Sequence, residues 1–173
     1  KPSFIYLASQ SPRRAQLLAQ LGVPHRLLLP DADEDAESLE ASVPGETALT
    51  YVQRVTLAKL QAARHRLKAR RLQVAPILCA DTTVVVGRGI LGKPTDEADA
   101  LRMLQCLSGR THRVITAVAI AQGTRTATSV QTSRVHVATL TPQQRQAYVD
   151  SREPFGKAGA YATPGAFARH GQG

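Results

Sequence analysis

Hydrophobic positions along the chain change spacing several times, and each change marks an element. Phe4 to Ala8 is a short apolar run of strand type, which Ser9-Gln10-Ser11-Pro12 interrupts. Arg13 to Leu21 resumes with helical spacing, Leu17, Leu18 and Leu21 forming one stripe. Ser11 offers a hydroxyl to the free amides of the first turn, Pro12 suits the first helical position, and Gly22 is a natural stop. Arg26 to Leu29 predicts a second short strand, and DADEDAESLEASVPGE, lacking any apolar period, predicts a surface loop. From Thr47 to about Arg70, Leu49, Val52, Val55, Leu57, Leu60 and Leu67 return at helical spacing. That pattern predicts a long amphipathic helix whose basic end suits the helix dipole.

Pro76 to Val86 (PILCADTTVVV) is a continuous apolar run with Asp81, Thr82 and Thr83 inside it, the pattern of a buried strand. Gly87, Gly89 and Gly92 punctuate a turn, and Asp96 to Leu107 reads as a capped helix with Leu101, Leu104 and Leu107 inward. Thr111 to Ala121 and Thr124 to Ala138, joined at Gln122-Gly123, predict an antiparallel hairpin, and Thr141 to Ser151 a further capped helix. Strands alternating with helices and then a hairpin predict an α/β mixed sheet flanked by helices. The 173 residues read as one domain, with two lobes meeting near residues 92 to 112.

Composition narrows the partners. A hydrophobic content of 43% with 20% charged residues supports a folded core and excludes long coiled coil and disorder. Lys and Arg number 22 against 13 acids, leaving +9, and 17 of the 22 are Arg, whose planar fork grips carboxylate or phosphate with two bonds. An anionic partner follows, polymeric or small. Cys79 and Cys106, in apolar surroundings with no C-x-x-C pairing, read as buried free thiols in a reducing compartment, not a disulfide or zinc site. No apolar run is long enough for a membrane span, and KPSFIYLAS is too short for a signal-peptide core. A soluble, cytoplasmic protein is expected, although a first residue of Lys1 rather than Met leaves room for a removed leader.

Candidate chemistry gathers at a few positions. A strand running through Ser9-Gln10-Ser11-Pro12 into a helix presents unpaired amides and the positive end of a dipole, so an anion fits there. Arg13 and Arg14 are electrostatically misplaced in a first helical turn, and a phosphate would compensate them; two solvated arginines on a surface helix are the plainer account. Asp81 in an apolar strand is costly unless a cation, hydrogen bonds or a metal receives it; capping a loop is the alternative. Lys93, between Gly92 and Pro94 in a tight turn, can reach phosphate or simply be solvated. Glu34 lies among Asp31, Asp33, Asp35 and Glu37, a cluster that binds a divalent cation or, more commonly, keeps a loop soluble. Lys59 by itself reads as a solvated helix residue, and the glycines around Lys157 in EPFGKAGAY suit either a binding loop or a turn. No phosphate-loop, dinucleotide or zinc-protease motif is present, nor a histidine placed to serve a Ser or Cys nucleophile.

Taken together, LASQSPRRAQLLAQLG, DED at 33 to 35, VTLAKLQAA, CADTTVVV, LGKP, LSGRTHRVITAVAI and EPFGKAGAY resemble, in order and spacing, the Maf family of nucleoside triphosphate pyrophosphatases. The resemblance runs from Phe4 to about Tyr161. It implies a two-lobed α/β fold (Maf / ITPase-like) with a central cleft, a cytoplasmic enzyme, a divalent metal cation such as Mg2+ or Mn2+, and a homodimer. It also implies hydrolysis of the α–β phosphate bond of a nucleoside triphosphate to the monophosphate and pyrophosphate. By position, Asp81 resembles the family's proton acceptor for the attacking water, and Glu34 the loop carboxylate that helps hold metal or water, so the resemblance implies both as catalytic residues and as metal ligands. Ser9, Arg13, Lys59 and Lys93 match phosphate-binding groups, with Lys157 in the Gly-rich loop. Arg14 and Thr82 match positions that the dTTP/UTP branch uses for substrate selection, so the resemblance implies dTTP and UTP, or modified nucleotides, as substrates. Two departures stand out. Ala162-Thr163-Pro164-Gly165 stands where that branch has Ile-Gln-Gly after KAGAY, and the resemblance leads to the expectation of a further C-terminal segment past the position of Gly173. A basic nucleic-acid-binding or division-regulating protein on the same fold is the rival reading. The aromatic content of 4% leaves few stacking platforms for it.

Overall fold

The computed structural model describes residues 1–161, so the 162–165 stretch in which Pro164 replaces the branch's Gln lies outside the described residues. In chain order the elements are β1 (Ile5–Leu7), α1 (Pro12–Gln20), β2 (His25–Leu27), a 3-10 turn (Glu37–Glu40) and α2 (Ala48–Ala69). There follow β3 (Ile77–Val86), β4 (Gly89–Leu91), α3 (Glu97–Leu107), β5 (Thr111–Gln122), β6 (Arg125–His136), α4 (Pro142–Asp150) and a 3-10 turn (Ala158–Ala160). The six strands form a mixed sheet of order β2-β1-β3-β5-β6, with β4 paired to β3 off that path. β1 pairs parallel with both β2 and β3, and β4 antiparallel with β3. The α/β class expected from alternating elements is the class observed.

The chain divides into two compact units. One comprises Lys1–Asp81 with Thr116–Val130, the other Thr82–Ile115 with the chain from Gln131. The first has its own core of Tyr6, Leu28, Leu60, Ile77, Cys79 and Ala119. The second is built around Val84, Met103, Leu104, Leu107, Val137 and Val149.

Helix boundaries follow cap chemistry. The Ser11 hydroxyl accepts from Arg14 N at 3.4 Å, the Asp96 carboxylate from Asp99 N at 2.7 Å, and Thr141 and Gln144 cap each other reciprocally. Gly22 at φ 71° ends α1, the left-handed conformation for which its missing side chain suits it. The orientation of α1 differs from expectation. Leu17 is 47% and Leu21 76% exposed, whereas Ser11, Arg14, Ala15 and Leu18 form the half-buried line. Periodicity does not say which line of a helix turns inward; here the line that does takes Leu18 but leaves out Leu17 and Leu21, and it carries an arginine. On α2, likewise, Val52, Val55 and Leu60 are buried while Leu49 and Leu57 are exposed. The glycine-rich turn after β3 contains the short strand β4, with Val84 opposite Leu91 and Val86 opposite Gly89.

Candidate active site

The order β2-β1-β3 places a reversal of winding at β1. The chain leaves β1 through α1 to reach β2 on one side, then returns through α2 to β3 on the other. Crevices at such switch points, beyond the carboxyl ends of the strands, are where open α/β sheets bind ligands. The register sets what lies there. Leu7 is opposite Leu78, Ala8 N donates to Leu78 O at 3.0 Å, and the chain then turns away into α1 while β3 runs on to Asp81. Ser9, the first turn of α1 and Asp81 therefore share one end of the N-terminal unit.

The turn is braced from within. Ser9 Oγ accepts from Ser11 N at 3.2 Å and from Arg14 Nη1 at 3.0 Å. Burial pulls the Arg14 guanidinium below its usual pKa, and the negative charge of Asp81 opposes that pull. The half-buried Arg14 is thus within electrostatic reach of the strand carboxylate, while Arg13 beside it is exposed.

Lys59 reaches the same place from α2. Its Nζ lies 3.1 Å from Asp81 Oδ2 and donates to Glu40 Oε1 at 2.7 Å. Burial works against the ammonium charge, but Asp81 and Glu40 outweigh it and hold Lys59 above its usual pKa. Glu40 closes the 3-10 turn, whose last carbonyl accepts from the Tyr51 hydroxyl at 2.7 Å. Nothing in the sequence pattern had singled out Glu40. Its only trace was its place in an acidic loop, where every carboxylate looks alike.

Glu34 belongs to a different network. Both of its oxygens accept from Arg66, at 2.8 to 3.1 Å, and Arg70 lies 3.9 Å away. The bonds from Arg66 hold its carboxyl below the usual value. It lines a cavity of about 360 Å3 with Asp35, Leu39, Ala62, His65 and Arg66, and Asp81 is not part of that lining. Among the described residues no three His, Cys, Asp or Glu side chains converge as a metal cage. Asp81 alone fits the sparser mode in which Mg2+ takes one or two protein carboxylates and completes its shell with water and substrate phosphate oxygens.

Thr82, Lys93 and Lys157 belong to the second unit. Thr82 is half-buried in β3, and Lys93 is exposed on the turn after β4, ahead of the buried Pro94. Lys157 Nζ donates to Glu153 O at 2.6 Å. Two contacts fix the loop that carries it: Gly159 N donates to Gly92 O at 3.0 Å, and the Tyr161 hydroxyl is hydrogen-bonded to His112 Nε2. The turns bearing Lys93 and Lys157 are therefore tied together by a backbone bond, a relationship that their separation in the chain concealed. Cys79 is buried and Cys106 half-buried, both as free thiols.

A family model described as "Maf-like protein" matches residues 4–170. A protein of Albidiferax ferrireducens named dTTP/UTP pyrophosphatase is 59% identical over 173 residues, covering 98% of this chain and 86% of its own length. Relatives of the same name from a Polaromonas species and from Burkholderia pseudomallei are 57% and 56% identical; the chain spans 83% and 78% of their lengths.

Proposed function

Because the chain belongs to the Maf family, we propose that it is a nucleoside triphosphate pyrophosphatase acting on dTTP and UTP, releasing the monophosphate and pyrophosphate. The observation that carries this reading is Asp81 at the β1/β3 switch point, with the Lys59 ammonium 3.1 Å away; its negative charge also favours the charged form of the half-buried Arg14. A carboxylate so placed can orient a water and take its proton as the water attacks the α-phosphorus. Ser9, the α1 amides, Arg13, Arg14 and Lys59 supply donors and positive charge for the phosphates, stabilising the charge that builds on the leaving pyrophosphate. Lys93, Lys157 and Thr82 serve in the same reading as substrate-binding groups of the second unit. No covalent nucleophile is needed, because phosphoryl chemistry of this kind depends on position and electrostatics.

Mg2+ or Mn2+, when bound, would neutralise charge on the phosphate oxygens. Asp81 is the residue to hold it; Glu34 would first have to release Arg66, and in this reading it serves mainly to fasten its loop to α2. Among the described residues no helix is long and apolar enough to cross a membrane. A cytoplasmic homodimer completes the reading.

The test is pyrophosphate release from a panel of nucleoside triphosphates with Mg2+ or Mn2+. The expected outcome is turnover of dTTP and UTP that Asp81→Asn lowers at least about 100-fold, as loss of a general base does. Lys93→Ala is expected to lower kcat/KM with little change in melting temperature, because an exposed lysine contributes little to folding. Release unchanged in the Asp81 variant overturns the assignment of the base, and release from no substrate overturns the enzymatic reading.

A further inference from the structure

In the reading above Lys59 binds phosphate, yet its ammonium is already engaged. Two carboxylates hold it, Glu40 Oε1 at 2.7 Å and Asp81 Oδ2 at 3.1 Å. They differ in how they are mounted. Asp81 sits on a short side chain inside β3, paired on its N-terminal side with β1. Glu40 ends a 3-10 turn, on a longer side chain with three rotatable bonds. The Lys59 and Glu40 side chains are 25% and 29% exposed, so water and solutes reach the pair.

We propose that Glu40 is the exchangeable counter-ion of the phosphate site. Its carboxylate occupies Lys59 in the empty protein, a substrate phosphate oxygen takes that place on binding, and Glu40 thereby sets the affinity for polyphosphate. This rests on the reading of Lys59 as a phosphate ligand. An ammonium has three donors, so Lys59 can keep Asp81 while it exchanges the other carboxylate. The chain's own anion competes for the donor, and the apparent affinity falls by the fraction of molecules in which Glu40 holds it. Tyr51 supports the arrangement, since its hydroxyl holds the Glu40 backbone carbonyl at 2.7 Å and keeps the carboxylate within reach.

The experiment is calorimetric titration of the chain with inorganic pyrophosphate, without divalent cations and at physiological salt. Glu40→Gln is expected to bind pyrophosphate about 3- to 5-fold more tightly, the value of a partly exposed ion pair. Glu40→Ala should move the same way. Glu37→Gln removes an equal charge from the same 3-10 turn at an exposed position, where screening should hold the change below about 1.5-fold. Lys59→Ala should weaken binding and abolish the gain that Glu40→Gln otherwise brings. Unchanged or weaker binding by both Glu40 variants overturns the proposal, as does tightening that survives in the Lys59→Ala background. If Lys59→Ala leaves pyrophosphate binding untouched, the reading of Lys59 fails together with this one. If Lys59→Ala weakens binding while the Glu40 variants bind as the parent does, only the role of Glu40 is lost.

Discussion

Arg66, buried in α2, holds the Glu34 carboxylate through three hydrogen bonds of 2.8 to 3.1 Å while its Nη1 donates to Leu28 O at 2.9 Å. One guanidinium thus pins the acidic loop and Leu28, the residue after β2, to the same helix. Glu40, six residues on from Glu34, depends on that loop's path for its approach to Lys59.

Arg66→Ala is expected to destabilise the chain by about 1 to 3 kcal/mol, because it takes three charge-assisted bonds from Glu34 and removes a donor from the buried Leu28 carbonyl. The Glu34 carboxyl is held below its usual value, so its contribution is present above about pH 4.5. It is lost as pH falls through the depressed value. Urea unfolding at pH 7 and at pH 4 checks both points; Glu34→Gln should be less stable at pH 7 and should lack that part of the acid dependence.

Gly159 stands at φ 70°, and a Cβ there would lie 2.9 Å from Cβ, Cγ1 and Cγ2 of Val84. Gly159→Ala should therefore cost about 2 to 4 kcal/mol, combining left-handed strain with overpacking against a strand side chain that cannot move aside. Denaturant unfolding measures it. A loss below about 0.5 kcal/mol would show that the loop carrying Lys157 does not bear on β3.

His112 is 2% exposed, and its Nδ1 has no hydrogen-bond partner among the described residues, so burial pushes its pKa down to about 4. The unfolded chain takes up this proton near pH 6.5, whereas the folded one resists until about pH 4. Stability is therefore full above pH 6.5 and declines as pH falls through that window, by about 1.4 kcal/mol per unit from this group. Unfolding free energies from pH 7 to about pH 4.5 test it: His112→Gln should show a flatter profile, and identical slopes would refute the assignment.

Much of the fold was legible in the chain because its signals are local. Ser11, Asp96 and Thr141 announced three helices through cap chemistry that needs only a few neighbouring residues. Asp81 was visible as a carboxylate in an apolar strand, and the crowded cations of Arg13 and Arg14 as charge seeking an anion. Where the reading fell short, a rotation or a long-range partner decided. The expected leucine stripe of α1 is split: Leu18 lies on the half-buried line with Arg14, while Leu17 and Leu21 are exposed.

By itself, then, the sequence determined the four helices, the longer strands, the class and the family, since periodicity, caps and ordered motifs are properties of neighbouring residues, but not the short β4 or the 3-10 turns. Which carboxylate meets which cation was decided only by the tertiary structure. Glu34 and Glu40 lie six positions apart in one acidic loop, yet one closes on Arg66 and the other on Lys59. Contact energies act through space over a few ångströms, and the path that brings residue 40 to residue 59 is set by the packing of a whole helix.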